Sequence, residues 1–202
     1  ISKFGALLKV EKPALLLVHG DTITSTMCAF SAFLNHVPVG HVEAGLRTYN
    51  VMSPWPEEMN RQLTGRIAKY HFAPTISAFN NLREEKVAAK NIFITGNTVI
   101  DALFDTVKLI KSDSAIRQNI EKKLSSQGYK PDPTDKNRRL VVITGHRREN
   151  FGQGFLNICN AIKKLSELFP DVDFVYPVHL NPNVQKPVIE IGRASCRVIL
   201  YI

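Results

Sequence analysis

Short apolar runs alternate with longer stretches that place apolar residues at helical spacing. The runs at 14–19, 38–42, 70–72, 91–95, 140–144 and 173–178 have the length and continuity of strands buried on both faces. Between them, 23–34, 57–67, 77–86, 99–110 and 155–169 repeat apolar residues every three or four positions with polar residues opposite, which predicts amphipathic helices. This rhythm predicts βαβ units and parallel sheets. The stretch 111–139 interrupts it: Ser125, Ser126, Gly128, Pro131 and Pro133 lie among many charges, the second half has no apolar period, and the whole reads as a connector. A fresh strand follows at 140–144, so a second α/β unit is expected to include it. The helix over 98–110 either closes the first unit or crosses into the second.

Composition narrows the class without changing that architecture. With 202 residues, 44% of them hydrophobic and 22% charged, the chain is long enough for a substantial core and matches neither disordered nor disulfide-scaffold usage. The formal charge of +8 favours anionic partners. Many of the basic residues fall between 108 and 148 without a ladder of aromatic stacking platforms, so nucleic acid is not the expected partner. Cys28, Cys159 and Cys196 are far apart and form no C-x-x-C pair, which argues against a zinc site or disulfide framework. The apolar runs are too short to span a bilayer and the first residues lack a signal-peptide layout, so no membrane association and a reducing, cytoplasmic setting are expected.

In open parallel sheets, ligands bind beyond the carboxyl ends of the strands. The first strand ends in His19-Gly20-Asp21-Thr22, the second in His41-Val42-Glu43-Ala44-Gly45, and the strand after the connector in Gly145-His146-Arg147-Arg148. Ser53-Pro54-Trp55-Pro56-Glu57-Glu58 opens a helix, and Val178-His179-Leu180-Asn181 ends the last strand. Simpler readings compete at each place. Asp21 or Thr22 fits a helix N-cap, Glu57 and Glu58 suit the positive end of a helix dipole, and Arg47 is a ready ion-pair partner for Glu43. His146 suits proton transfer beside an anion or a satisfied structural position, Arg147 and Arg148 a phosphate clamp or a solvated surface, and His179 divides the same way. His19, His41 and His71 read as structural.

Missing motifs exclude several chemistries. Gly152-Gln153-Gly154 lacks the rest of a G-x-G-x-x-G turn, and there is no P-loop, H-E-x-x-H pair or G-x-S-x-G elbow. The histidines are not spaced as a metal set, so no metal site is expected.

Taken in order, six segments resemble the non-hydrolysing UDP-N-acetylglucosamine 2-epimerase family: V-H-G-D-T at 18–22, G-H-V-E-A-G-L-R-T at 40–48, S-P-W-P-E-E-M-N-R at 53–61, I-T-G-N-T-V-I-D-A-L at 94–103, T-G-H-R-R-E-N-F-G at 144–152 and Y-P-V-H-L-N-P-N-V at 176–184. The resemblance implies an α/β fold of the GT-B type, two Rossmann-like domains with parallel sheets and a UDP-sugar bound between them. It implies no cofactor, UDP-N-acetylglucosamine and UDP as partners, and a homodimer for the full-length parent. It marks Asp21, Glu43, Glu57 and His146 as catalytic, and Arg147 and His179 as contacts to a substrate or regulatory UDP-sugar.

The implied chemistry explains the number of acid/base groups. C2 of the sugar has no adjacent carbonyl, so its proton is not removed directly; the resemblance implies that UDP is eliminated across C1 and C2 and added back with C2 inverted. A hydrolysing relative, a non-catalytic UDP-sugar-binding module and a GT-B glycosyltransferase are the competing functions. Both ends depart from the resemblance, so each domain is expected to be incomplete: 1–96 is the later part of the N-terminal domain, and 97–189 holds the crossing helix, connector and start of the C-terminal domain. Residues 190–202 read as a non-native tail resembling translated sequencing adapter. This chain alone is expected to be inactive and prone to instability.

Overall fold

The computed structural model describes residues 1–127, 129, 139–145, 152–178, 180–194 and 198–201. Two compact units divide the chain, Ile1–Thr106 and Val107–Ile202. The first contains α1 (Ser2–Glu11), β1 (Leu16–His19), α2 (Ile23–Leu34), β2 (Val39–Val42), α3 (Glu57–Ile67), β3 (Tyr70–Ala73), α4 (Ile76–Glu84) and β4 (Ile92–Ile94). Helix α5 (Thr98–Ser112) spans the division, and α6 (Ser114–Ser126), β5 (Arg139–Val142), α7 (Gln153–Leu168), β6 (Val172–Pro177), α8 (Pro182–Ala194) and β7 (Val198–Tyr201) follow.

The first sheet is parallel in the order β1-β2-β3-β4, and the second is parallel in the order β5-β6-β7. Register in the first sheet pairs His19 with Val42 and Val42 with Phe72, so these strands finish nearly level. The following loops therefore begin along one edge. In this unit Leu8 of α1 and Ala29 and Ala32 of α2 pack on Val18 and Val39, while Ala78 and Leu82 of α4 pack with Ala44, Ala73 and Ile92. Full burial of a side chain such as Leu82 contributes about 1.5–3 kcal/mol, and the alanines let helix backbones approach the sheet. In the second unit Phe155, Cys159 and Ile162 of α7, spaced along one helical face, join Val172, Phe174 and Tyr176 of β6 and Val184 and Val188 of α8.

The βαβ rhythm and all six expected strands are present. The expected connector is corrected in its first half, where Ser114–Ser126 is helical. Asp113 caps α6 by accepting from the Ala115 and Ile116 amides at 2.8 and 3.1 Å, while Ile116, Ile120 and Leu124 supply a narrow, half-buried stripe. Such a stripe is easily lost among charged neighbours. Helices α1 and α8 and strand β7 are additional elements; Pro187 lies inside α8. Among the described residues, no helix is long and apolar enough to cross a membrane.

Candidate active site

At the carboxyl edge of the first sheet, the local chain path separates capping from chemistry. Gly20 follows β1 with φ 70°, and Thr22 then caps α2, its Oγ1 accepting from the Ser25 amide at 3.1 Å. The Ser25 hydroxyl donates to the His19 carbonyl at 2.7 Å. With Thr22 satisfying the helix end, the Asp21 side chain is left for another task. Arg61, one helical turn after Glu57 on α3, donates from Nε to Asp21 Oδ2 at 2.8 Å, and its Nη2 forms an ion pair with the same oxygen at 2.8 Å. Asn60 Nδ2 donates to the Asp21 carbonyl at 2.8 Å, fastening the same turn to α3.

Glu43 follows β2 at φ 65°, a left-handed conformation that a non-glycine residue adopts only at a cost. The Ala44 amide donates to the Phe72 carbonyl at 3.0 Å and holds the turn. This directs Glu43 toward the Asp21 loop: Oε2 lies 3.4 Å from where a Cβ on Gly20 would stand, and 3.9 Å from His19 Nε2. His19, set with the structural histidines on sequence grounds, is exposed and lies beside Glu43.

The ion pair considered between Glu43 and Arg47 is not formed. Arg47 is buried and donates through Nε and Nη2 to Glu85 at 2.6 and 2.8 Å, reaching α4's end across 38 positions of sequence. Glu57 begins α3, half-buried, on the helical face that also carries Arg61. Asp21, Glu43 and Glu57 are therefore gathered along one edge: the first two beyond adjacent strands, the third linked to Asp21 through the first turns of α3.

Glu58 differs sharply from its neighbour. Its side chain is fully buried and accepts from Thr48 N, Tyr49 N and Gln62 Nε2 at 3.0, 3.1 and 2.9 Å, with Arg61 Nη1 at 3.4 Å. Burial alone pushes its carboxyl pKa up, but the Gln62, Thr48 and Tyr49 hydrogen bonds and the Arg47 charge outweigh it, so the net direction is down. The helix-dipole explanation is insufficient for this residue, because its partners come largely from the preceding loop.

His41 and His71 are buried and paired in register on β2 and β3, as structural histidines should be. His41 Nε2–H donates to the Gly20 carbonyl at 2.8 Å, so this imidazole supports the Asp21 turn. Burial lowers its pKa to about 4; the Gly20 bond opposes the shift, and the His71 and Arg47 charges add to it. Burial also lowers the His71 pKa.

His146, Arg147 and His179 lie outside the described residues. In the second unit, the Tyr176 hydroxyl donates to the Gly145 carbonyl, linking the end of β6 to the residue before His146. Among the described residues, no group of three or more histidine, cysteine, aspartate or glutamate side chains is arranged to hold a metal.

Parallel sheets in two α/β units, with carboxylates at the carboxyl edge of the first, define an α/β protein of the GT-B fold class. The sequence matches the family described as UDP-N-acetylglucosamine 2-epimerase over residues 1–201, and the chain belongs to that family. The Campylobacter jejuni UDP-N-acetylglucosamine 2-epimerase is 53% identical over 177 residues, covering 88% of this chain and 45% of its own. The Escherichia coli K12 protein of that name is 48% identical over 182 residues, covering 90% and 46%. The crystal structure of Neisseria meningitidis UDP-GlcNAc 2-epimerase bound to UDP-GlcNAc has a TM-score of 0.90 and 42% identity, with 99% of this chain and 52% of that chain covered. The Methanocaldococcus jannaschii enzyme in complex with UDP-GlcNAc and UDP has a TM-score of 0.76 and 30% identity, covering 98% and 52%. This chain thus spans about half the length of the relatives it matches.

Proposed function

We propose that the protein containing this chain interconverts UDP-N-acetylglucosamine and UDP-N-acetylmannosamine without net hydrolysis. The observation that carries this reading is the gathering of Asp21, Glu43 and Glu57 along one carboxyl edge, in a chain belonging to the epimerase family. Its relatives' names and the nucleotide sugars in their structures support the choice of substrate.

Elimination removes the C2 proton to a base as the C1–O bond breaks and UDP departs, leaving 2-acetamidoglucal. Re-addition delivers a proton to the opposite face of C2 while a UDP oxygen bonds to C1. Opposite faces require separate acid/base groups, and each needs to be placed before the reaction starts. Asp21, Glu43, Glu57 and His146 are proposed to supply that set. Arg147 and His179 are proposed contacts to substrate or to a regulatory UDP-sugar. A departing diphosphate also needs cationic stabilisation, a role Arg147 suits by charge.

The test is a time course of the full-length protein with UDP-N-acetylglucosamine, followed by proton and phosphorus NMR. Accumulation of UDP-N-acetylmannosamine to a constant ratio, with the nucleotide retained, supports the proposal. Stoichiometric free UDP and N-acetylmannosamine identify the hydrolysing reaction, and binding without turnover identifies a non-catalytic module.

A further inference from the structure

We infer that Glu58 is a positioning residue of the proposed site, holding Asp21 through Arg61 and the segment between Glu43 and Glu57 through the Thr48 and Tyr49 amides. This rests on the proposed epimerase reaction and concerns how its carboxylates are held apart and oriented.

A charged carboxylate inside a protein needs a full set of partners. Glu58 is 0% exposed and has them on both oxygens. Oε1 accepts from Tyr49 N and Gln62 Nε2, and Oε2 from Thr48 N and Arg61 Nη1. Arg61 is thereby held from behind while its Nε and Nη2 hold Asp21 Oδ2. The Nε hydrogen bond and the Nη2 ion-pair contact converge on one oxygen, and among the described residues no hydrogen bond reaches Oδ1. Asp21 is fixed by one atom and presents the other.

The second branch runs through the loop. Thr48 Oγ1 donates to the Ser53 carbonyl at 2.6 Å, Ser53 N to the Asn50 carbonyl at 2.8 Å, and Glu58 N to the Pro54 carbonyl at 3.1 Å. These bonds close the segment upon the start of α3. Glu43 lies before the anchored amides and Glu57 immediately before Glu58, so the same carboxylate constrains the connection between them. A residue serving only the helix dipole does not require amides from a preceding loop.

The experiment uses Glu58→Gln in the full-length protein. Glutamine preserves size, but its NH2 must face either Thr48 N–H and Arg61 or Tyr49 N–H and Gln62, placing donors against donors. The expected result is a kcat loss of about 100-fold with KM for UDP-N-acetylglucosamine changed by less than about three-fold, because small misplacements of reacting groups chiefly affect turnover. Hydrogen exchange of peptides containing Thr48 and Tyr49 should accelerate about ten-fold, with β3 unchanged. Wild-type kcat or unchanged loop exchange in Glu58→Gln overturns the inference. If the wild-type protein does not turn over UDP-N-acetylglucosamine, the epimerase reading fails, and accelerated exchange still establishes the loop clamp. If Glu58→Gln does not fold, Arg61→Lys decides: lower kcat with unchanged loop exchange supports the Asp21 branch, and wild-type kcat overturns it.

Discussion

Thr22 takes over the capping of α2 and Arg61 takes hold of one Asp21 oxygen, so at the residue scale a capping explanation gives way to a carboxylate whose other oxygen accepts no hydrogen bond among the described residues. Substituting Asp21→Asn, Glu43→Gln or Glu57→Gln in the full-length protein should lower kcat by about 10²–10⁴-fold, the range of an individual acid/base contribution. Thermal unfolding within a few degrees of wild type checks that this is loss of chemistry. Acid should act on a different residue. His41 is buried neutral with its pKa lowered from 6.5 to about 4, so between those values the unfolded chain binds a proton that the folded chain excludes. Stability is therefore fully present above pH 6.5 and declines as pH falls toward 4, by about 3 kcal/mol from this group alone. His71 and Glu58, both with lowered pKa values, push in the same direction. Urea midpoints at pH 7.5 and 4.5 check the slope, and equal midpoints contradict it.

Among the elements, the β2–α3 connection depends on close packing as well as hydrogen bonds. Gly45 adopts φ 86°, and a Cβ there would stand 2.3 Å from the Ala78 carbonyl oxygen. Gly45→Ala should cost about 2–5 kcal/mol through left-handed strain and overpacking, measurable as a lower urea midpoint. Periodicity in the sequence identified α2 and α3 with their observed bounds because each has clear helical spacing between strong strand signals. It missed α6 because that helix presents only a narrow apolar stripe among charges, although the Asp113 cap was visible locally. It missed α8, a helix that carries Pro187 in its interior. In the candidate site, the positions of Asp21, Glu43 and Glu57, beyond strands or at a helix start, were legible in the sequence. The partners were less so: Arg47 reaches Glu85 rather than Glu43, and Glu58 receives loop amides, both consequences of tertiary packing rather than local spacing.

On the scale of the molecule, two α/β units, each with a parallel sheet, carry their own apolar cores, and the described candidate carboxylates Asp21, Glu43 and Glu57 lie in the first. Several apolar side chains remain exposed, including Val10, Ile23, Phe33, Met52, Leu103 and Phe104, so the activity belongs to a test on the full-length protein rather than on this chain alone. The proposed elimination and re-addition make a prediction at one atom. Turnover of UDP-N-acetylglucosamine in deuterated water, followed by mass spectrometry and NMR at C2, should place solvent deuterium at C2 of UDP-N-acetylmannosamine. A folded full-length protein that forms that product with the original C2 hydrogen fully retained, or forms none, contradicts the account.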